Sequence, residues 1–170
     1  IGVANRTPGD ETWQRQAEQP ILQAEDSTLA DWKRYAQNTP EALVIDHQLW
    51  LYYTGRSELN GGLSIGLAKS NDGLEFTDIE TNPVLSPSGQ MGQFDEESVA
   101  HPSVLYRDPA FEMWFASGTL DIGYALSADG ITWEKYCDNP VITGSEPSWD
   151  HEKVKAPEVV FDGDTYWMTY

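Results

Sequence analysis

One short phrase keeps returning along this chain. Asn82-Pro83-Val84-Leu85 comes back as Asn139-Pro140-Val141-Ile142, and Gln19-Pro20-Ile21-Leu22 is a degraded copy upstream. The same ladder carries Ile1-Gly2-Val3-Ala4, Ile65-Gly66-Leu67-Ala68 and Ile122-Gly123-Tyr124-Ala125. It also carries Ser70-Asn71-Asp72-Gly73 and Ser127-Ala128-Asp129-Gly130, each followed by an aromatic residue, Phe76 or Trp133. Trp13 holds the corresponding place in the first copy. A period of roughly 60 residues, built from short apolar-alternating runs and turn signals, is the signature of a blade-type β architecture. The rings of Trp13, Phe76 and Trp133 are therefore read as filler between blades.

The strands of one repeat can be read directly. Pro102 to Tyr106 is short and largely apolar, as for a strand covered on both faces. A turn at Arg107-Asp108-Pro109-Ala110 follows, and Phe111 to Phe115 alternates so that Phe111, Met113 and Phe115 share a face. Ile122 to Leu126, an Asp129-Gly130 hairpin turn and Ile131 to Tyr136 complete four antiparallel strands. Pro40 to Ile45 with Leu49 to Tyr53, and Pro157 to Phe161 with Thr165 to Tyr170, repeat the first two strands. Helical periodicity is confined to a turn or two around Thr28 to Ala36. The expected fold is all-β, a β-propeller of four-stranded antiparallel blades with about three blade equivalents. Its boundaries are a half blade at 1–22, blades at 38–85 and 99–142, and a half blade at 154–170. Propellers close with about four to eight blades. The chain is thus expected either to be part of a longer propeller or to complete one as a homo-oligomer, two copies making a six-bladed ring.

Charge narrows the partners. Ten Lys and Arg against 28 Asp and Glu give a net charge of −18, which repels phosphate backbones and anionic lipid. Nucleic acid and membrane are excluded as expected partners. Cys137 is the only cysteine, so no intramolecular disulfide can form. No apolar run approaches the roughly 20 residues of a membrane span. Ile1 brings neither an initiator Met nor an apolar leader, which reads as a processed chain or a piece of a longer one. A soluble protein is expected, with secreted or periplasmic placement favoured over cytoplasmic. His47, His101 and His151 are too dispersed for an ordered metal-ligand set, so neither a metal nor another cofactor is expected.

A second unit links successive repeats. Phe94-Asp95-Glu96-Glu97-Ser98-Val99-Ala100-His101-Pro102 aligns with Trp149-Asp150-His151-Glu152-Lys153-Val154-Lys155-Ala156-Pro157. This pattern, then a Met-aromatic strand, Ile-Gly-x-Ala-x-Ser-x-Asp-Gly-x-x-Trp and Asn-Pro-Val, resembles the repeat of the five-bladed propeller glycoside hydrolases of families 43 and 32. Lys155-Ala156-Pro157-Glu158-Val159-Val160 resembles the Ala-Pro-Glu/Asp segment of family 43. The resemblance implies a glycoside hydrolase that works with paired carboxylates, with carbohydrate as partner and arabinan-, xylan- or fructan-type sugars as substrates.

Glycoside hydrolysis uses two carboxyl groups across the scissile bond. In the family the acids lie one or two residues before the Pro of an innermost strand. Here those positions are Asn38-Thr39, Ala100-His101 and Lys155-Ala156, and none is a carboxylate. The catalytic candidates are therefore Glu158, Glu97 and Glu152. Glu158 follows its Pro, aligned with Glu41 and Ser103, where a desolvated carboxylate suits acid work. Glu97 and Glu152 recur in register, as rim salt-link positions or ligand contacts. Asn38, His101, Lys155 and Trp149, the last as a stacking platform, are the substrate-binding candidates. Asp95 and Asp150 recur and read as turn or capping residues, and Asp108 as part of a hairpin turn. The alternative is a non-catalytic propeller that binds glycans or another protein through repeated rim residues.

Overall fold

The computed structural model describes residues 1–23, 31–59 and 61–170. The strands are β1 (Ala4–Asn5), β2 (Gln14–Arg15), β3 (Ala36–Ile45), β4 (Gln48–Arg56), β5 (Leu63–Ser70) and β6 (Thr77–Asp78), then β7 (Val99–Arg107), β8 (Ala110–Ser117), β9 (Ile122–Ser127), β10 (Glu134–Lys135), β11 (Glu158–Phe161) and β12 (Tyr166–Thr169). Two four-stranded antiparallel sheets, β3-β4-β5-β6 and β7-β8-β9-β10, are flanked in sequence by the two-stranded sheets β1-β2 and β11-β12. This is the all-β, four-stranded blade architecture that the repeats predict. A single 3-10 turn at Asp31–Lys33 occupies part of the predicted helical turns around 28–36; residues 28–30 of that stretch lie outside the described residues. No helix among the described residues is long and apolar enough to cross a membrane.

The fourth strands are shorter than the alternation from Ile131 to Tyr136 implies, and the turn chemistry explains it. Asp129 Oδ1 accepts the N–H groups of Ile131 and Thr132 at 2.8 and 2.7 Å. Asp72 does the same for Leu74 and Glu75. Those N–H groups are satisfied by a side chain and have none to give a ladder. The sheet is held further out by the recurring Asn-Pro. Asn82 accepts the N–H of Leu67 and donates to its carbonyl, both at 2.9 Å, and Asn139 treats Tyr124 likewise at 2.8 and 2.9 Å. One amide side chain thus replaces a strand residue beside the third strand, and an isolated bridge follows at Ile65–Leu85 and Ile122–Ile142.

The main core lies between the two complete sheets. Tyr52, Ile65 and Leu67 of the first meet Val99, Val104, Met113 and Phe115 of the second. Each such burial is worth roughly 1.5–3 kcal/mol. Trp50 stacks on Phe111 at 5.6 Å, and Trp133 meets Tyr52 edge-on at 6.0 Å. The Tyr52 hydroxyl donates to the Gly130 carbonyl at 2.7 Å, closing the seam with a buried polar contact. Phe76 packs against a second cluster around Leu51 and Tyr53. Trp13 departs from the expected inter-blade place. It is 66% exposed, with the Arg6 guanidinium 5.4 Å over its ring, because its hairpin is only two strands deep on that side among the described residues.

If the Asn side chains hold the third strands, Asn82→Ala and Asn139→Ala each leave one N–H and one C=O without their partner. Denaturant unfolding should show a loss of about 1–3 kcal/mol for each. A change within experimental error would mean that the motif is a turn signal only.

Candidate functional site

The three innermost strands arrive at one place in the same way. β3 shifts register between Asn38 and Glu41, and β7 between Ala100 and Ser103. At both shifts, and just before β11 where no shift is present, the backbone turns left-handed: φ is 47° at Thr39, 52° at His101 and 54° at Ala156. A non-glycine residue held there stores strain that the surroundings must offset. A proline follows each of them, and the two devices together re-aim the chain. The result is a cavity of about 150 Å³ lined by Thr39, Pro40, Glu41, His101, Pro102, Ala156, Pro157 and Glu158.

Strands that converge side by side without a ladder must satisfy their N–H groups by other means. Ser103 Oγ accepts the N–H of Val159 at 2.9 Å, and Glu41 Oε1 accepts the N–H of Val104 at 3.4 Å. In both cases the residue after one proline reaches the second residue after the next. Thr54 on β4 adds a second tie, its hydroxyl accepting the His101 N–H at 3.0 Å while bonded to Thr39 Oγ1 at 2.6 Å.

The cavity therefore holds two carboxyl groups, Glu41 and Glu158, at equivalent positions of different sheets. Burial, with the Glu158 charge as the second cause, pushes the Glu41 carboxyl up from 4.5 to about 7, against the Val104 hydrogen bond. His101 is pushed down, first by burial and then by the nearby Lys155 cation, so its ring is neutral at neutral pH. A carboxyl raised by burial, a second carboxyl and an imidazole thus line one small cavity.

Of the residues singled out from sequence, Glu158 and His101 line this cavity and Lys155 directly precedes its lining residue Ala156; Glu158 is exposed at the start of β11, not desolvated as expected, because β11 is covered on one face only among the described residues. Asn38 is exposed on β3, one residue outside the lining. Glu97 lies in a separate groove with Gln93, Phe94, Glu96 and Thr119. Glu152 is exposed, 3.9 Å from the ring of His151. Trp149 is 81% exposed and stacks on Tyr170 at 6.0 Å, away from the cavity. Asp95 is buried and ion-paired with Lys135. The acid that partners Glu158 is Glu41, which the sequence marks only as its repeat equivalent. Its signal was the position after the proline, and reading it needs the bulge. No group of three or more metal-ligating side chains occurs among the described residues.

Comparison with solved structures settles the architecture. A glycoside hydrolase superposes on 95% of this chain and 50% of its own with a TM-score of 0.73 at 20% identity. A thermostable family-43 glycoside hydrolase gives 0.68 over 92% of this chain and 52% of its own at 19% identity. The chain has the fold of the propeller glycoside hydrolases. A family-117 enzyme of the marine bacterium Zobellia galactanivorans shares this propeller at 13% identity, with a TM-score of 0.64 over 78% of the chain and 47% of its own. In sequence, the propeller is 28% identical over 153 residues to an uncharacterised protein of Mycobacterium tuberculosis, covering 82% of this chain and 49% of that protein. It is 26% identical over 116 residues to a β-1,2-mannobiose phosphorylase of a Thermoanaerobacter strain, covering 57% of this chain and 37% of the phosphorylase. The chain spans about half or less of the length of these curated relatives. No protein-family profile matches it.

The Glu41 shift has a consequence for stability. Its folded value lies above its unfolded value, so the folded state holds the proton more tightly. The contribution is fully present below about pH 4.5 and is lost as pH rises toward about 7. Glu41→Gln, which keeps the shape and removes the charge, should therefore raise Tm relative to wild type at pH 8 and lose that advantage near pH 4. A pH-independent difference between the two proteins would contradict the assignment.

Proposed function

We propose that this propeller is a carbohydrate-active enzyme that cleaves glycosidic bonds, with Glu41 as general acid and Glu158 as its carboxylate partner. What supports the reading is one observation: two carboxyl groups from equivalent positions of separate blades line the same cavity, and one is raised to about 7 by burial and by the other. An acid with that value is protonated often enough to donate and basic enough to be regenerated. Glu41 protonates the departing glycosidic oxygen as the bond to the anomeric carbon breaks. Glu158 takes a proton from the incoming water, whose oxygen forms the new bond. The neutral His101 ring, held by Thr54 through its backbone, offers a hydrogen bond to a sugar hydroxyl. Arabinan-, xylan- and fructan-type glycans are the substrate classes of this reading. The fold shared with glycoside hydrolases is consistent with it.

A second reading differs only in the acceptor. Lys155 lies close enough to His101 to depress it, and a cation near that ring suits a phosphate in place of water. The relative named as a mannobiose phosphorylase supports that choice.

The test is turnover of aryl arabinofuranosides, aryl xylosides, fructan and β-1,2-mannobiose, each with and without inorganic phosphate. Wild type should turn over at least one of them. Glu41→Gln and Glu158→Gln should lower kcat by about 10²–10⁴-fold while keeping the wild-type far-UV spectrum. Phosphate-dependent turnover selects phosphorolysis. Retention on a glycan gel with no turnover selects the non-catalytic binding propeller, and loss of neither variant's activity removes the carboxyl pair from the chemistry.

A further inference from the structure

One buried hydroxyl ties the first complete sheet to the second at the cavity. Thr54 on β4 is 2% exposed. Its oxygen accepts the backbone N–H of His101 at 3.0 Å and lies 2.6 Å from the hydroxyl oxygen of Thr39. Thr39 and His101 both line the cavity, and both are left-handed. Thr39 is the costlier of the two, because a β-branched residue is an outlier at a φ of 47°.

The two complete sheets show what this tie is not needed for. Thr54 faces Asn38 and Ile65 across its ladders, and Ala116 faces the equivalent Ala100 and Ile122. Ala116 is thus the repeat counterpart of Thr54, as Ala156 is of His101. Ala116 has no hydroxyl, yet Ala156 is left-handed all the same, with a φ of 54°. The turn before an innermost strand therefore forms without a hydroxyl on the second strand. Threonine stands where the left-handed residue carries an imidazole, and alanine where it carries a methyl group.

Counting donors gives the hydrogen bonds a direction. A threonine hydroxyl has one hydrogen and two acceptor sites. Thr54 spends one acceptor site on the His101 N–H, and its own buried hydrogen must find an acceptor or cost the desolvation of the group. Among the described residues, Thr39 Oγ1 is the hydroxyl's other partner. The chain runs from the His101 N–H to Thr54 and from Thr54 to Thr39, each bond polarising the next. It leaves the Thr39 hydrogen unspent at the cavity wall.

We propose, on the reading of this cavity as a glycan site, that Thr39 is a sugar-binding residue and Thr54 its positioning residue. Thr39 donates its hydroxyl hydrogen to a hydroxyl or ring oxygen of the ligand. Thr54 sets that direction and holds the His101 ring in the same cavity. Carboxylates only accept hydrogen bonds, so a neutral donor is what Thr39 adds beside Glu41 and Glu158.

Calorimetric titration of the full chain with xylobiose, arabinobiose and β-1,2-mannobiose tests this without turnover, alongside NMR of the His101 ring. Wild type should bind at least one of the three. For that disaccharide Thr39→Val should raise Kd about tenfold, the worth of one hydrogen bond, while Thr39→Ser stays close to wild type. Thr54→Val should weaken binding about as much and shift the His101 ring resonances of the free protein, and Thr54→Ser should restore both. If Thr54→Val fails to fold, the Thr39 pair decides alone. A wild type that binds none of the three overturns the proposal. So does a Thr39→Val protein that binds like wild type, or a folded Thr54→Val protein with unchanged ring resonances. Unchanged binding in Thr39→Val beside inactive carboxyl variants would leave the hydrolytic reading standing without this contact. Thr39-dependent binding with no turnover would do the reverse.

Discussion

The innermost strands of this fold meet at an axis where they cannot form a ladder with one another, and their backbone N–H groups must still be satisfied. Ser103 and Glu41 do this by side chain, each reaching the second residue after the next strand's proline. That requirement puts a polar side chain at the residue after each proline and aims it at its neighbour. Serine meets it at the lowest cost. Glutamate meets it at the price of a half-buried charge, and Glu158 stands close enough to raise that cost further. The site's chemistry is thus a by-product of how the blades are held together at the centre.

Away from the axis a different arrangement fixes each blade. A linker ring, Trp32 or Phe94, lies on a third-strand glycine, Gly66 or Gly123, and a linker charge pairs with the fourth strand. Lys33–Asp78 and Asp95–Lys135 have opposite polarity at equivalent places, so what the position demands is a buried pair and not a particular sign. Such pairs add modestly to stability but are costly to break one partner at a time.

Much of the fold was legible in the chain because period and turn chemistry agree. The Asn-Pro, Asp-Gly and Ile-Gly phrases placed the third strands and the hairpin turns, and the alternation from Phe111 to Phe115 placed a core face that the structure buries. What was not legible followed from geometry that no spacing encodes. The left-handed residue at Thr39, His101 and Ala156, with a register shift at the first two, moves the axis-facing position past the proline, so Glu41 reads as an ordinary strand residue until the left-handed turn before it is seen. Trp13 occupies the sequence position of an inter-blade ring, yet its exposure depends on which sheet stands beside it. Glu97, Glu152 and Trp149 were drawn from the linker unit, whose repetition reflects the ring-on-glycine packing and the linker ion pairs.

The central claim is that Glu41 and Glu158 act on each other across the cavity. Carbon-13 NMR of glutamate side-chain carboxyls, assigned by substitution, measures it directly. Glu41 should titrate with a midpoint near 7, and Glu158→Gln should move that midpoint downward by removing the neighbouring charge while leaving the burial. A Glu41 midpoint near 4.5, or one that does not move in Glu158→Gln, would contradict the account.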